Sequence, residues 1–245
     1  MIKNLEFCSK YYNVLFFVLL LTVGTINFWD SFKNPFIIDD TDHYLNAKKQ
    51  NSKFFSFVFI PSITNNPGFE NYENSWNYYR PLHHFLMSLE SAFFDDNTFS
   101  YQVVSLAIFI AACYSIYLFL FTISSNRYVS SVAALLYLLH PFNGLCVNYK
   151  TAFVFPLQII FMNLIFIHLH LICNKKIQFK WHQVFLCLVL FLFTLLLNET
   201  AFVFPLVLVI YFLSTRCINK KSFYISSAFI CFTFFYFIFR NKIST

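Results

Sequence analysis

Apolar segments separated by short polar ones run along most of this chain. Seven of them are apolar enough to predict membrane-crossing helices: 12–28, 101–123, 128–139, 151–173, 183–197, 201–214 and 223–239. A helix needs about 20 predominantly apolar residues to cross a hydrocarbon core ~30 Å thick. The pattern therefore predicts an all-α polytopic membrane protein, in which residues 1–245 form a single membrane domain with seven transmembrane helices.

The longest apolar run, 183–214, is interrupted only by Asn198, Glu199 and Thr200. As one helix it would be ~48 Å long at 1.5 Å per residue, too long for the core without strong tilt. A hairpin of two helices would place the flanking basic residues on one side of the membrane, as the positive-inside bias favours. That side would carry Lys3, Lys10, Arg127, Lys175, Lys176, Lys180, Arg216, Lys220 and Lys221.

The hairpin fixes the expected side of each polar segment. The N-terminus is then cytoplasmic. Residues 12–28 could be a signal peptide, but the absence of a small-residue cleavage site before Phe28 favours an uncleaved signal anchor. Residues 29–100 form a long extracytoplasmic loop, and 140–150 and 198–200 lie on the same side. Arg240 and Lys242 fall on that outer side too, against the charge bias.

Composition excludes several classes of protein. Hydrophobic residues make up 58% of the 245 positions and charged residues only 11%, against about 25% in a soluble domain. A soluble enzyme or a nucleic-acid-binding module could not bury so much apolar surface. Nine of the eleven acidic residues lie within 30–96, and most basic residues lie in short loops elsewhere. The net charge of +6 therefore reflects which segments lie on which side of the membrane. The seven cysteines are scattered without CxxC spacing, which argues against a disulfide scaffold.

The outer loop 29–100 contains patterns typical of short amphipathic helices. Thr41 is a suitable cap for a short helix that continues through Leu45 and Ala47. Residues 60–75 are rich in Pro, Asn, Ser and Gly and predict irregular loop. Pro81 suits a first helical position, and apolar residues recur at helical spacing after it. We therefore expect an amphipathic helix over 81–94 that lies on the membrane.

A short sequence repeat marks two of the predicted membrane helices. Thr-Ala-Phe-Val-Phe-Pro-Leu occurs at 151–157 and again at 200–206. Both copies begin a segment that descends from the outer face, and each proline lies near the start of its helix, where a missing N–H costs little. Seven identical residues at equivalent positions predict a shared structural role.

The adjacent carboxylates of Asp39 and Asp40 allow three interpretations. Acidic residues are favoured at a helix N-terminus by the helix dipole, which explains Asp42 better than Asp39. A divalent cation could bind Asp39, Asp40, Asp42 and His43, although the spacing matches no calcium loop. The third interpretation is catalytic, with one carboxylate as general base and its neighbour orienting it or raising its pKa.

Arg80 also has two interpretations. A single arginine beside Tyr78 and Tyr79 is typical of a side chain that reaches the membrane interface. Its other use is the bidentate recognition of a phosphate.

Taken in order, these residues resemble the N-terminal part of the GT-C superfamily of polyprenyl-phosphate-sugar glycosyltransferases, in particular its multispan O-mannosyltransferase-like group. The resemblance covers most of residues 10–214 and depends on the order and sidedness of short motifs. These are Asp39-Asp40, Tyr79-Arg80-Pro81-Leu82, Leu139-His140-Pro141 and Asn198-Glu199-Thr200-Ala201 with Pro205. The later spans of the family are absent from the chain.

The resemblance implies inverting transfer of a sugar, such as a hexose or mannose, from a polyprenyl-phosphate donor to an acceptor hydroxyl at the extracytoplasmic face. Asp39 would be the base and Asp40 its support. Residues implied to bind substrate are Tyr79, Arg80, His140, Lys150 and Glu199. The partners would be the lipid donor, an unknown protein or glycan acceptor and the bilayer, with no nucleic acid. The resemblance requires no cofactor and leaves a divalent cation open.

The chain departs from the family at three positions. Asn198 stands where relatives usually have lysine, and Leu145 where they carry glutamate. An arginine expected early in the fourth span is missing, and Lys150 is its nearest substitute. An inactive or fragmentary membrane scaffold is therefore the first alternative. A transporter fits less well, because mid-span ionisable residues are almost absent. Residue usage favours a bacterial inner membrane over the endoplasmic reticulum.

The predicted topology can be tested by cysteine labelling on a cysteine-free background. A cysteine at Ser62 should react with a membrane-impermeant reagent from outside, and one at Gln178 only after the membrane is opened. The reverse pattern would contradict the topology.

Overall fold

The computed structural model describes residues 2–36, 40, 80–174, 180–215 and 220–244. These residues form α-helices joined by short 3-10 turns, and no strand occurs in these ranges, which confirms the all-α prediction. The helices are α1 Ile2–Asn27, α2 Pro81–Phe94, α3 Thr98–Ser124, α4 Arg127–Leu139, α5 Leu145–Asn148, α6 Val154–Cys173, α7 Trp181–Leu197, α8 Phe204–Ser214 and α9 Lys220–Ser244.

Three helical stretches within the described ranges are long and apolar enough to cross a membrane: Thr98–Ser124, Lys150–Cys173 and Ser222–Arg240. A fourth arises if Arg127–Leu139 and Pro141–Asn148, which meet at 61°, form one broken span. Tyr11–Asn27, Trp181–Leu197 and Glu199–Ser214 are shorter apolar helices. Each of the seven predicted segments thus lies in helical chain, and a count of seven spans stays a prediction.

The chain divides into two compact units. One comprises the described residues of 1–43 and 94–167, and the other those of 44–93 and 168–245. The prediction of a single membrane domain is not tested by this division.

In the first unit, α1, α3 and α4 pack around aromatic side chains. Phe109 and Tyr117 of α3 are completely buried, as is Leu138 of α4. Gly24 of α1 permits close approach, because a Cβ atom there would lie 3.2 Å from the side chain of Ile110. The Tyr117 hydroxyl also donates to Asn13 Oδ1 at 2.7 Å.

A buried amide ties the loop side of this unit together. Gln102 of α3 donates from Nε2 to the Val147 carbonyl at 2.6 Å and to the Ser31 hydroxyl at 3.1 Å. Ser31 belongs to the 3-10 turn Trp29–Lys33 that follows α1, and Val147 to α5. The chain that follows α1 is therefore fixed against α3 through this hydrogen-bonded amide, since buried polar groups are usually hydrogen-bonded.

In the second unit, three aromatic rings show that the run 183–214 is not one straight helix. The centroids of Phe191 and Phe204 lie 5.4 Å apart, and both rings contact Phe229 of α9 at 5.1 and 5.8 Å. Thirteen residues of continuous helix would separate the two positions by about 20 Å. The chain instead breaks after Leu197, with Asn198 extended and a 3-10 turn over Glu199–Val203. The break predicted at 198–200 is confirmed.

Helix α2 has the predicted bounds, and its polar side faces inward. His83, Ser88, Glu90 and Ser91 are buried, together with Met87, whereas Phe93 is 76% exposed. The other predicted apolar positions, Leu82, Phe85, Leu86 and Leu89, are half-buried. Of the predicted apolar stripe only Phe93 is exposed, so a position of α2 on the membrane stays a prediction.

The two copies of the repeat adopt the same local structure. Lys150–Phe153 and Glu199–Val203 are 3-10 turns, each followed directly by a helix, α6 or α8. Pro156 and Pro205 lie in the first turn of these helices, where the backbone nitrogen needs no intrahelical partner. This agreement confirms the shared structural role. The expected helix after Thr41 and the loop 60–75 lie outside the described residues.

Candidate functional site

The carboxylate of Asp40 is completely buried and binds the start of the first repeat. Its Oδ2 accepts from the backbone N–H of Lys150 at 3.1 Å. Its Oδ1 accepts from the backbone N–H and from the hydroxyl of Thr151, both at 2.9 Å. The N–H groups at the beginning of a helical segment have no intrahelical acceptor, so the carboxylate satisfies them and offsets their partial positive charge.

Lys150 fixes the same part of the loop through its side chain. The side chain is buried, and Nζ donates to the carbonyls of Asn34 at 3.1 Å and Pro35 at 3.0 Å. Nζ also lies 5.4 Å from the centre of the Phe36 ring, within the range of a cation–π interaction. The chain from Asn34 to Asp40 is therefore bound to the start of the helical stretch Lys150–Cys173 from both of its ends.

Arg80 and Glu199 form a bidentate ion pair in the second unit. Arg80 Nε donates to Glu199 Oε2 at 2.8 Å, and Nη2 donates to Oε1 at 2.5 Å. The two side chains are 22% and 25% exposed, so the pair is partly shielded from water. Burial acts to raise the pKa of Glu199, but the hydrogen bonds and charge of Arg80 outweigh it, and the pKa is lowered.

Both contacts lie at the start of a copy of the sequence repeat. Lys150 and Glu199 are the residues immediately before the two Thr-Ala-Phe-Val-Phe-Pro-Leu copies. Asp40 binds Lys150 and the first residue of the first copy, Thr151, whereas Arg80 binds Glu199, the residue before the second copy. One charged residue of the segment between α1 and α3 is thus bound at the start of each repeat.

The other predicted site residues are distributed as follows. His140 is exposed, and its Nδ1 accepts from the Phe142 N–H at 3.3 Å, which caps the turn Pro141–Gly144. Asp39 and Tyr79 lie outside the described residues. The structure therefore brings together Asp40 with Lys150 in one unit and Arg80 with Glu199 in the other.

Glu90 is a buried acid that the sequence did not single out. It lies on the inward side of α2, and Oε2 has no hydrogen-bond partner among the described residues. Burial raises the pKa of its carboxyl to about 8, so the group is mainly neutral at pH 7. In the sequence, Glu90 is distinguished only by its position outside the apolar stripe of α2. An exposed acidic residue would occupy the same kind of position, so the sequence does not predict its burial.

The described residues contain no group of three or more His, Cys, Asp and Glu side chains placed to hold a metal ion. Asp39, Asp42 and His43 of the predicted cation site lie outside those residues. A divalent cation thus stays a prediction.

Comparisons of the chain with protein-family models, with curated protein sequences and with solved structures each found no match.

The ion pair of Arg80 and Glu199 can be measured by a double-mutant cycle. Arg80→Ala and Glu199→Ala should each lower the free energy of unfolding, and the double variant should lose less than the sum, with a coupling of about 0.5–3 kcal/mol. Heat unfolding in detergent gives these values. Because the pKa of Glu199 is lowered on folding, the coupling should be present at neutral pH and disappear as the pH falls through that lowered value.

A coupling near zero at neutral pH would contradict the ion pair. The matched control is Lys33 with Asp30, an exposed pair at 3.3 Å, for which the same cycle should give at most about 0.5 kcal/mol.

Proposed function

We propose that this chain is a membrane glycosyltransferase of the GT-C type, corresponding to the N-terminal part of such enzymes. It would transfer a sugar from a polyprenyl-phosphate donor to an acceptor hydroxyl at the extracytoplasmic face. The observation that carries the proposal is the fixation of Asp40. Three hydrogen bonds hold this loop carboxylate at the start of the helical stretch Lys150–Cys173, and Asp40 is the sequence neighbour of Asp39, the proposed base.

The proposed chemistry is a single inverting displacement. The acceptor hydroxyl transfers its proton to the Asp39 carboxylate as its oxygen attacks the anomeric carbon. The bond from that carbon to the donor phosphate breaks, and the electron pair leaves with the phosphate. Since a phosphate is a stable leaving group, the protein must chiefly supply a base and positive charge near the developing anion.

The observed contacts refine the roles of the supporting residues. Asp40 accepts three hydrogen bonds from the start of the first repeat, so it would support Asp39 by holding this part of the loop in place. Arg80 would bind the donor phosphate, with Glu199 holding the plane of its guanidinium group. Lys150 would position the loop, because its ammonium group already binds two carbonyl oxygens.

The setting of the reaction is part of the proposal. Seven spans with a cytoplasmic N-terminus in a bacterial inner membrane would place both repeat starts at the outer face. The apolar helices support membrane insertion, and the exposed Phe93 of α2 supports a position of that helix at the membrane surface.

An inactive scaffold is the second candidate function. The observation that favours it is that Asp40 and Lys150 bind partners within the chain, as purely structural residues would. The two proposals differ in the role of Asp39. Its carboxylate accepts a proton in the glycosyltransferase and takes part in no reaction in a scaffold.

Asp39→Asn separates the candidates. The amide keeps the size of the side chain but accepts no proton at neutral pH, so transfer should fall about 10²–10⁴-fold, the usual contribution of a positioned base. The assay follows a radiolabelled sugar from polyprenyl phosphate to acceptor in membranes that contain the protein. Asp30→Asn, an exposed acid of the same loop, should transfer at the normal rate.

Normal transfer by Asp39→Asn would contradict the role of Asp39 as base. Absence of transfer by the unchanged protein with every donor tried would instead favour the scaffold.

A further inference from the structure

Two side-chain oxygens on α3, Gln102 Oε1 and Ser105 Oγ, are buried without a hydrogen-bond partner among the described residues. Gln102 is completely buried, and Ser105 is 1% exposed. Roughly 90% or more of buried polar groups in folded proteins are hydrogen-bonded, and an unbonded one in an apolar interior is costly. Two such atoms in neighbouring turns of one helix therefore indicate a bound ligand that forms hydrogen bonds.

The orientation of the Gln102 amide is fixed by its neighbours. Nε2 donates to the Val147 carbonyl at 2.6 Å and to the Ser31 hydroxyl at 3.1 Å. Because a carbonyl oxygen only accepts, the amide nitrogen and not Oε1 must face Val147. The Ser31 hydroxyl donates to the Phe28 carbonyl and therefore accepts from Gln102. Oε1 thus retains its lone pairs for a donor outside these two contacts.

The Ser105 hydroxyl differs from several other hydroxyls in the described helices. Serine and threonine side chains within a helix commonly donate to a backbone carbonyl three or four residues earlier. Such bonds are formed here by Thr22, Ser115, Thr122, Ser130 and Thr233. Ser105 forms none, so its hydroxyl can bind a partner outside the backbone of its own helix.

The spacing of the two side chains suits a single bridging molecule. Gln102 and Ser105 lie one turn apart on the same face of α3, where Cβ atoms are separated by about 5–6 Å. The two side chains do not hydrogen-bond to each other. A water molecule with hydrogen bonds of about 2.8 Å to two atoms joins atoms that lie about 4.5 Å apart. Internal waters typically make two to four such bonds to buried polar groups.

The surroundings favour a small, neutral ligand. Neither oxygen can be reached by a sugar or a lipid head group, because both residues are fully buried. The centre of the Phe36 ring is 5.4 Å from Lys150 Nζ and 5.3 Å from the centre of the Tyr101 ring. Lys150 thus already places a buried positive charge near this part of α3, and a second cation would be repelled. Water is neutral and both donates and accepts.

We propose that Gln102 and Ser105 form an internal water site on α3. One water molecule donates a hydrogen bond to Gln102 Oε1 and forms a second with the Ser105 hydroxyl. Because the same Gln102 amide holds the Val147 carbonyl of α5, the water supports the segment that leads to the helix start bound by Asp40. The site does not depend on the proposed transfer reaction.

A high-resolution structure of the purified full chain tests the site directly. We expect one peak of water density within about 2.6–3.2 Å of both Gln102 Oε1 and Ser105 Oγ. A peak near only one of the two oxygens, or none at a resolution that shows ordered waters elsewhere in the protein, would overturn the proposal. A peak with six or more oxygen neighbours at about 2.3–2.6 Å would also overturn it, because that geometry is typical of a bound cation.

Substitution of Ser105 gives an independent test in solution. With water bound, Ser105→Ala removes one of its two partners and weakens its bond to the buried Gln102 oxygen. The equilibrium constant of unfolding in detergent should then rise about fivefold or more, as expected when a buried polar group loses its partner. Without the water, the substitution removes a buried hydroxyl that has no bond. An unchanged or lower constant would therefore contradict the proposal.

Ser130→Ala is the matched control, because Ser130 is also buried in the first unit. Its hydroxyl donates to the Asn126 carbonyl at 2.8 Å, which also accepts from the Ser130 N–H. Ser124 Oγ, 3.5 Å from the Ser130 hydroxyl, keeps its own bond to the Leu120 carbonyl. The control leaves no acceptor unbonded and should change the constant less than about threefold. An equal rise in both variants would contradict the proposal, since it would reflect the loss of any buried hydroxyl.

Discussion

The hydrogen bonds between the Asp40 carboxylate and the backbone N–H groups of Lys150 and Thr151 are the constraint on which the candidate site depends. Removing a carboxylate from water is costly unless hydrogen bonds replace its hydration. Here three donors from one helix start replace it, so the contact is specific in position as well as in charge. Lys150 Nζ adds two bonds to the carbonyls of Asn34 and Pro35 and thereby also fixes the chain that precedes Asp40.

A contact with the segment between α1 and α3 occurs at the start of each repeat copy, through backbone N–H groups at the first and through the Glu199 side chain at the second. In both copies, a 3-10 turn precedes a helix with a proline in its first turn, so several backbone N–H groups at the turn have no intrahelical acceptor. The two contacts differ in kind. Asp40 is bound by the backbone N–H groups of Lys150 and Thr151 and by the Thr151 hydroxyl, whereas Arg80 is bound by the side chain of Glu199. Charged residues from the segment between α1 and α3 are thus attached to the starts of two apolar helices through a few charge-assisted bonds.

Local pattern was sufficient to predict the helices but not their partners. Pro81 and the apolar spacing after it gave the bounds of α2, and Asn198-Glu199-Thr200 marked the break before α8. The contacts of Asp40 with Lys150 and of Arg80 with Glu199 join residues 110 and 119 positions apart. Nothing in local periodicity specifies such pairs. The resemblance to GT-C enzymes selected Asp40, Arg80, Lys150 and Glu199 without indicating which side chains would contact each other. The burial of Glu90 was missed for a related reason, since the spacing of residues in α2 does not indicate that its polar side is buried.

Amide hydrogen exchange across residues 149–154 tests the central claim most directly, because the Lys150 and Thr151 N–H groups are donated to Asp40 itself. The unchanged protein should show slow exchange in this segment. Asp40→Asn should accelerate it there and leave α3 unaffected, since an amide group cannot accept at both positions. Asp30→Asn, at an exposed acid with no such bond to a helix start, should leave exchange unchanged. Equal exchange in the unchanged protein and in Asp40→Asn would contradict the account.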